Sequence, residues 1–210
     1  RYVNDYISGD FSKDKKIFRK YIFGNLGKTF GGLNGKTKKD FGDGKSFITY
    51  MNVFNNSKVD LNKIGKVKID DNEKQNQLKF GDILITGSSE TPQEVGMTSV
   101  VLDNLKEHYL NSFCFGFRLR SFDFLLPEYA RYLMRSDHVR NFMYKNAQGY
   151  TRFNISKETI KKKLKVTLPN IEEQKKIYKK LDDIEQHTFN IRSNLKKTIN
   201  MKKNLINQIF

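Results

Sequence analysis

From Ile171 to Phe210 the chain runs for forty residues without a proline or a glycine. No other stretch limits the fold so strongly, because neither residue that breaks helices interrupts it. Apolar residues recur at spacings of four and three: Ile177, Leu181, Ile184, Ile191, Leu195, Leu205 and Ile209. Thr188, Thr198 and Lys202 occupy the intervening heptad positions, so the stripe is imperfect. Asn170 suits an N-cap, and Glu173 three residues on makes an N-x-x-E variant of the capping box. The pattern predicts one helix over Ile171–Phe210, about 60 Å long at ~1.5 Å per residue. One small domain cannot cover such a length, so the stripe is expected to pair as a coiled coil, in the isolated chain through a homodimer. Glu172, Glu173, Asp182 and Asp183 lie near its start and Lys196, Lys197, Lys202 and Lys203 near its end. Antiparallel pairing would set acidic beside basic ends.

Upstream of Pro169 short apolar runs alternate with Gly- and Asn-rich turns. Candidate strands are Ile22–Phe30, Ser46–Phe54, Ile64–Ile69, Ile83–Thr86, Thr98–Leu102 and Phe113–Arg120. The last alternates, with Phe113, Phe115, Phe117 and Leu119 on one face and Cys114, Gly116, Arg118 and Arg120 on the other, as in a half-buried strand. Pro127 suits the first turn of a helix predicted to reach about Lys145, with Ala130, Leu133, Met134, Phe142 and Met143 on its buried stripe. A short helix from Ser156 and a strand Leu164–Leu168 follow. The expected class is α+β: residues 1–20 an unassigned tail, 21–169 a β-rich domain with a few helices, 170–210 the long helix.

The formal net charge of +16 across 210 residues points to a polyanionic partner. Lysines and arginines gain free energy by releasing counterions from phosphates, so nucleic acid is the first candidate; on charge alone ribosomal RNA, a membrane surface or an acidic protein fits as well. No segment approaches the ~18 apolar residues of a membrane span, and no signal peptide is visible, so a cytoplasmic protein is expected. Cys114 is the only cysteine and the histidines (His108, His138, His187) are scattered, so neither an internal disulfide nor a metal site is expected. No cofactor is expected either. Gly35-Lys36-Thr37 and Gly44-Lys45-Ser46 match the end of a Walker loop, but its first glycine would fall at Phe30 and Lys39. The three prolines are isolated, so a methyltransferase's base-flipping Pro-Pro loop is missing. Glu173-Gln174-Lys175 has a nuclease-like E-x-K spacing but no strand-borne Asp before it.

Three loops join pliable backbone to groups that bind nucleic acid. Gly31–Lys39 offers Lys36, Thr37, Lys38 and Lys39 for phosphates; Thr86–Thr91 offers Ser88 and Ser89. Gln148–Asn154 offers Arg152 for guanine edges, Gln148 and Asn154 for adenine edges, and Tyr150 for stacking or phosphate contact. Arg118 and Arg120, on the polar face of their strand, complete the candidates.

At the junction of the third loop and the long helix, Gly149-Tyr150-Thr151-Arg152-Phe153-Asn154-Ile155 followed by Val166-Thr167-Leu168-Pro169-Asn170-Ile171-Glu172-Glu173-Gln174-Lys175-Lys176-Ile177 resembles the end of a target-recognition domain of type I restriction–modification specificity subunits. Leu26-Gly27-Lys28-Thr29-Phe30-Gly31-Gly32-Leu33 is similar to the start of such a domain, and Phe80-Gly81-Asp82-Ile83-Leu84 to its G-D-I-L segment. The resemblance implies a non-catalytic subunit with two recognition domains, each reading half of a split DNA site, spaced by two antiparallel helices. It also implies partner methyltransferase and restriction subunits that carry the catalysis. This chain has one recognition domain and one long helix. The alternatives are the recognition region of a single-chain restriction–methylation enzyme, and a coiled-coil adaptor that binds no DNA.

Overall fold

The computed structural model describes residues 18–209, the side chain of Ile209 excepted. The expected tail falls outside these residues up to residue 17, but Arg19 and Lys20 belong to the first strand. That strand, β1 (Arg19–Ile22), pairs antiparallel with β11 (Lys165–Leu168), Arg19 opposite Leu168. A four-stranded antiparallel sheet lies at the centre, in the order β2 (Gly27–Gly31), β9 (Cys114–Leu119), β5 (Ile83–Thr86), β7 (Thr98–Val100). A second sheet orders β4 (Ile64–Val67), β3 (Phe41–Ile48) and β8 (His108–Leu110). A third pair joins β6 (Ser88–Ser89) to β10 (Phe153–Asn154).

The central sheet is covered on both faces. Ile83, Ile85, Phe115 and Phe117 point into one core with residues of α2 (Pro127–Leu133) and α3 (Asp137–Lys145). Leu84 and Cys114 point into another with Ile48 and Leu110 of the second sheet and Val53 of α1 (Tyr50–Asn55). The half-buried strand expected over Phe113–Arg120 is therefore a central one. Cys114 and Gly116 are buried, and the space a Cβ on Gly116 would need is filled by the Phe30 ring. Phe113 lies outside the strand with its side chain exposed.

Three other expectations change. The run Ile22–Phe30 is not one strand: β1 ends at Ile22, a 3-10 turn spans Phe23–Leu26, and β2 starts at Gly27 in another sheet. The run Ser46–Phe54 switches from strand to helix at Thr49, whose hydroxyl accepts from the Asn52 backbone N–H at 3.2 Å. The Asn52 side chain is buried and binds the backbone of Asp60 and Lys63, which holds the helix down. The helix expected over Pro127–Lys145 breaks at Met134–Ser136. There Arg135 turns inward and donates to the carbonyls of Thr98, Val53, Phe54 and Asn56. Burial lowers this guanidinium's pKa to about 10, and it stays charged at neutral pH.

The chain closes with α4 (Lys157–Lys163), capped by the Ser156 hydroxyl, then β11 and α5 (Ile171–Ile209). Asn170 caps α5 as expected, accepting from Glu173 N–H at 2.8 Å. Gln174 is fully buried; it accepts from Leu126 N–H and donates to the carbonyls of Phe124 and Pro169. Ile177 and Leu181 are core residues of the domain, so they are not free to dimerise. Arg131, buried in α2, ion-pairs with Asp182 and Glu185 one turn further on. Beyond that point the helix leaves the domain. Ile184, Ile191, Leu195 and Leu205 are 55–68 % exposed. No helix among the described residues is long and apolar enough to cross a membrane.

Candidate nucleic-acid interface

The three loops meet. Ser88 pairs with Asn154 and Ser89 with Phe153 across β6 and β10, and Ile155 N–H donates to Gly87 O at 3.0 Å. The first loop closes on the same spot: Gly31–Asn34, Gly87, Ser88 and Asn154 line one groove, with Lys74, Gln75, Asn76 and Lys157 completing its wall. Segments more than fifty residues apart thus share a surface at one end of the central sheet.

The first loop is fastened by a neighbour. Asn34 and Gln75 exchange hydrogen bonds, backbone N–H to side-chain oxygen at 3.1 Å and side-chain amide to backbone carbonyl at 2.8 Å. Asn76 donates to Gly31 O at 3.1 Å. Lys36 is only 7 % exposed and ion-pairs with Glu73. That bond, the Asp70 backbone N–H and Gln75 lower the Glu73 pKa to about 2. The Thr37 hydroxyl and N–H both bind the Asp40 carboxylate. Lys36 and Thr37, expected to face phosphates, are instead parts of the fastening, while Lys38 and Lys39 stand exposed.

The third loop is a closed hairpin. Gln148 and Asn154 exchange backbone hydrogen bonds at 2.9 and 2.8 Å. Gly149 sits at φ 137°, where a Cβ would also collide with the Arg152 carbonyl, so glycine is required. The tip holds Tyr150 almost wholly in solvent, and the Arg152 guanidinium lies over the Phe113 ring at 5.8 Å. In the second loop Ser89 is buried with its hydroxyl on Glu94, and Ser88 lines the groove, its carbonyl accepting from Tyr50 OH at 2.8 Å.

Arg118 and Arg120 are elsewhere. Arg118 donates through Nε and Nη2 to the buried Asp82 carboxylate and through Nη2 to Gln77 O, and stacks on Phe30. Arg120 follows the opposite end of β9, bonded through its N–H to Leu26 O; from Phe113 that is about 23 Å along an extended chain. The structure does not bring either to the groove. It adds Lys74, Gln75, Asn76, Lys157 and Phe113, which the sequence reading passed over. The apolar-free run Asp70–Gln77 marked a loop, but nothing in it marked its partner.

Comparison with known proteins bears on this geometry. The model of the family described as type I restriction modification DNA specificity domain matches residues 24–201. The chain belongs to this family. A protein of Methanocaldococcus jannaschii that bears the name type I restriction enzyme MjaX specificity subunit is 28 % identical over 182 residues, which cover 84 % of this chain and 42 % of the relative. The HsdS subunit of Thermoanaerobacter tengcongensis has the same fold, with TM-score 0.62 at 18 % identity over 91 % of this chain and 44 % of that one. So does a chain from work on complex assembly and conformational transition of the type I R-M system, with TM-score 0.64 at 18 % identity over 93 % of this chain and 45 % of that one. The specificity domain described here therefore spans under half the length of these relatives.

Proposed function

We propose that this specificity domain binds double-stranded DNA and reads one half of a split site, with the groove between the three loops as its contact surface. The observation that carries the reading is the convergence itself. Arg152, Tyr150, Gln148 and Asn154 stand on a closed hairpin beside a groove lined by Lys74 and Lys157, in a chain of this family, and Lys38 and Lys39 stand exposed further along the first loop. Lysines position the phosphates, and the hairpin side chains meet base edges. Methylation and cleavage belong to partner methyltransferase and restriction subunits, which dock on the framework that the long helix extends. The chain itself transfers no methyl group and cuts no DNA.

Titration of the purified chain with duplex DNA across salt concentrations tests this. With about six phosphates contacted, affinity should fall about a thousandfold between about 50 and 200 mM salt. An affinity that stays flat across that range, or methyl transfer by the chain alone with S-adenosylmethionine, rejects the reading. Sequencing methylated sites in cells that carry the complete system would give the half-site.

A further inference from the structure

Beside the groove, a second cleft opens between α1 and the hairpin tip. Its walls are Tyr50, Met51, Phe54 and Phe113, with Glu90, Glu94 and Arg152 at the rim. Met51 and Phe113 are 56 % and 57 % exposed and stand together in this one cleft. Both stand on fixed supports. Phe113 N–H donates to the Asn111 side chain at 2.9 Å and its carbonyl accepts from Gly87 N–H at 2.8 Å. Met51 lies in the first turn of α1, which the Thr49 cap anchors, and the Tyr50 and Phe54 rings stack beside it.

The chemistry of the cleft selects its occupant. Two carboxylates against one guanidinium leave the lining net negative, which disfavours phosphate more than a base edge. Met51 and Phe113 stand exposed on its lining, so a base edge can reach both without leaving its stack. Apolar walls take a methyl group, and a carboxylate accepts from an exocyclic amine. In the major groove a T·A pair presents both on one edge, the thymine C5-methyl and the adenine N6 amine. We infer that Met51 and Phe113 form a thymine-methyl reader, with Glu90 accepting from the adenine amine of the same pair, next to the base that Arg152 contacts. The inference rests on the DNA-binding reading above and names a second specificity element within it.

The test uses two pools of randomised duplex, one synthesised with thymine and one with uracil, which lacks only the methyl group. The chain should enrich a sequence from the thymine pool. Replacing thymine by uracil at a single position of that sequence should weaken binding about fourfold, the value of one buried methyl. Met51→Ala and Phe113→Ala, both at exposed positions, should each bind the thymine duplex more weakly and lose the thymine–uracil difference at that position. Equal enrichment from both pools, with sequence preference intact, overturns the methyl reader and leaves DNA recognition standing. So does permanganate oxidation of the thymine at that position in the complex, which reports an unstacked base. No enrichment from either pool removes the DNA reading and this inference together.

Discussion

Arginine and lysine carry the same charge in this chain and do different work. Arg118, Arg131, Arg135 and Arg140 turn their guanidiniums inward onto carboxylates and carbonyls, where a planar five-donor group satisfies several acceptors at once. The exposed positive surface is mostly lysine, and Arg152 is the guanidinium carried by the Gln148–Asn154 hairpin. Arg152→Ala should reduce discrimination between cognate and altered half-sites by about 1–3 kcal/mol; equal losses on cognate and random duplex would make it a phosphate contact. The fastening of the first loop has its own signature. The depressed pKa of Glu73, about 2 in the fold against an ordinary 4.5, means the Lys36–Glu73 bond contributes fully above about pH 4.5 and is lost as pH falls toward 2. Glu73→Gln should therefore lower the melting temperature by a constant amount between about pH 8 and pH 5, and by progressively less below. A deficit that grows on acidification would contradict this. Cys114 lies between the two sheets, and burial pushes its thiol up to about 12. Maleimide should leave it untouched in the native chain near neutral pH and label it after unfolding. At this scale the sequence showed which residue types bind nucleic acid. It did not show that Lys36 and Arg118 each have a carboxylate waiting on a segment about forty residues away.

Among the elements, those set by local rules were legible. The strand Ile83–Thr86 and the start of the long helix at Ile171 fall where β-branched composition and the Asn170 cap place them. Tyr50–Asn55 was misread because Tyr, Val and Phe favour strands, whereas the Thr49 cap and the buried Asn52 decide the matter through tertiary bonds. The single helix expected over Pro127–Lys145 fails for a similar reason, since Arg135 must leave the helical face to reach four carbonyls on two other segments. Gln174 is the pin between domain and helix. Gln174→Ala would take from Leu126 N–H and from the carbonyls of Phe124 and Pro169 the side chain that binds them, an expected loss of about 1–3 kcal/mol in urea unfolding. A loss under about 0.5 kcal/mol would mean that water replaces the side chain.

For the whole molecule, the stripe of the last forty residues divides in two. Its first turns, through Leu181, complete the domain core, and only the part from Ile184 onward faces solvent. The case for antiparallel pairing changes accordingly. Glu172, Glu173 and Asp182 already bind Lys175, Lys176 and Arg131, so charge at the helix start is largely committed. Geometry remains: the domain grips one end of α5, so only antiparallel partners place two domains at opposite ends. Ile191→Asp with Leu195→Asp should convert a homodimer to a monomer in sedimentation without loss of folding, as each buried Ile or Leu is worth about 1.5–3 kcal/mol. A wild-type monomer at micromolar concentration would dismiss the dimer. The pairing of β1 with β11 has a last consequence. Arg19 lies opposite Leu168, so the first and last strands of the described domain are adjacent, about 4.8 Å apart. A segment whose two ends are neighbours behaves as a cartridge. It can be replaced by another of the same frame that offers α5 the same seat for Gln174, Ile177 and Leu181.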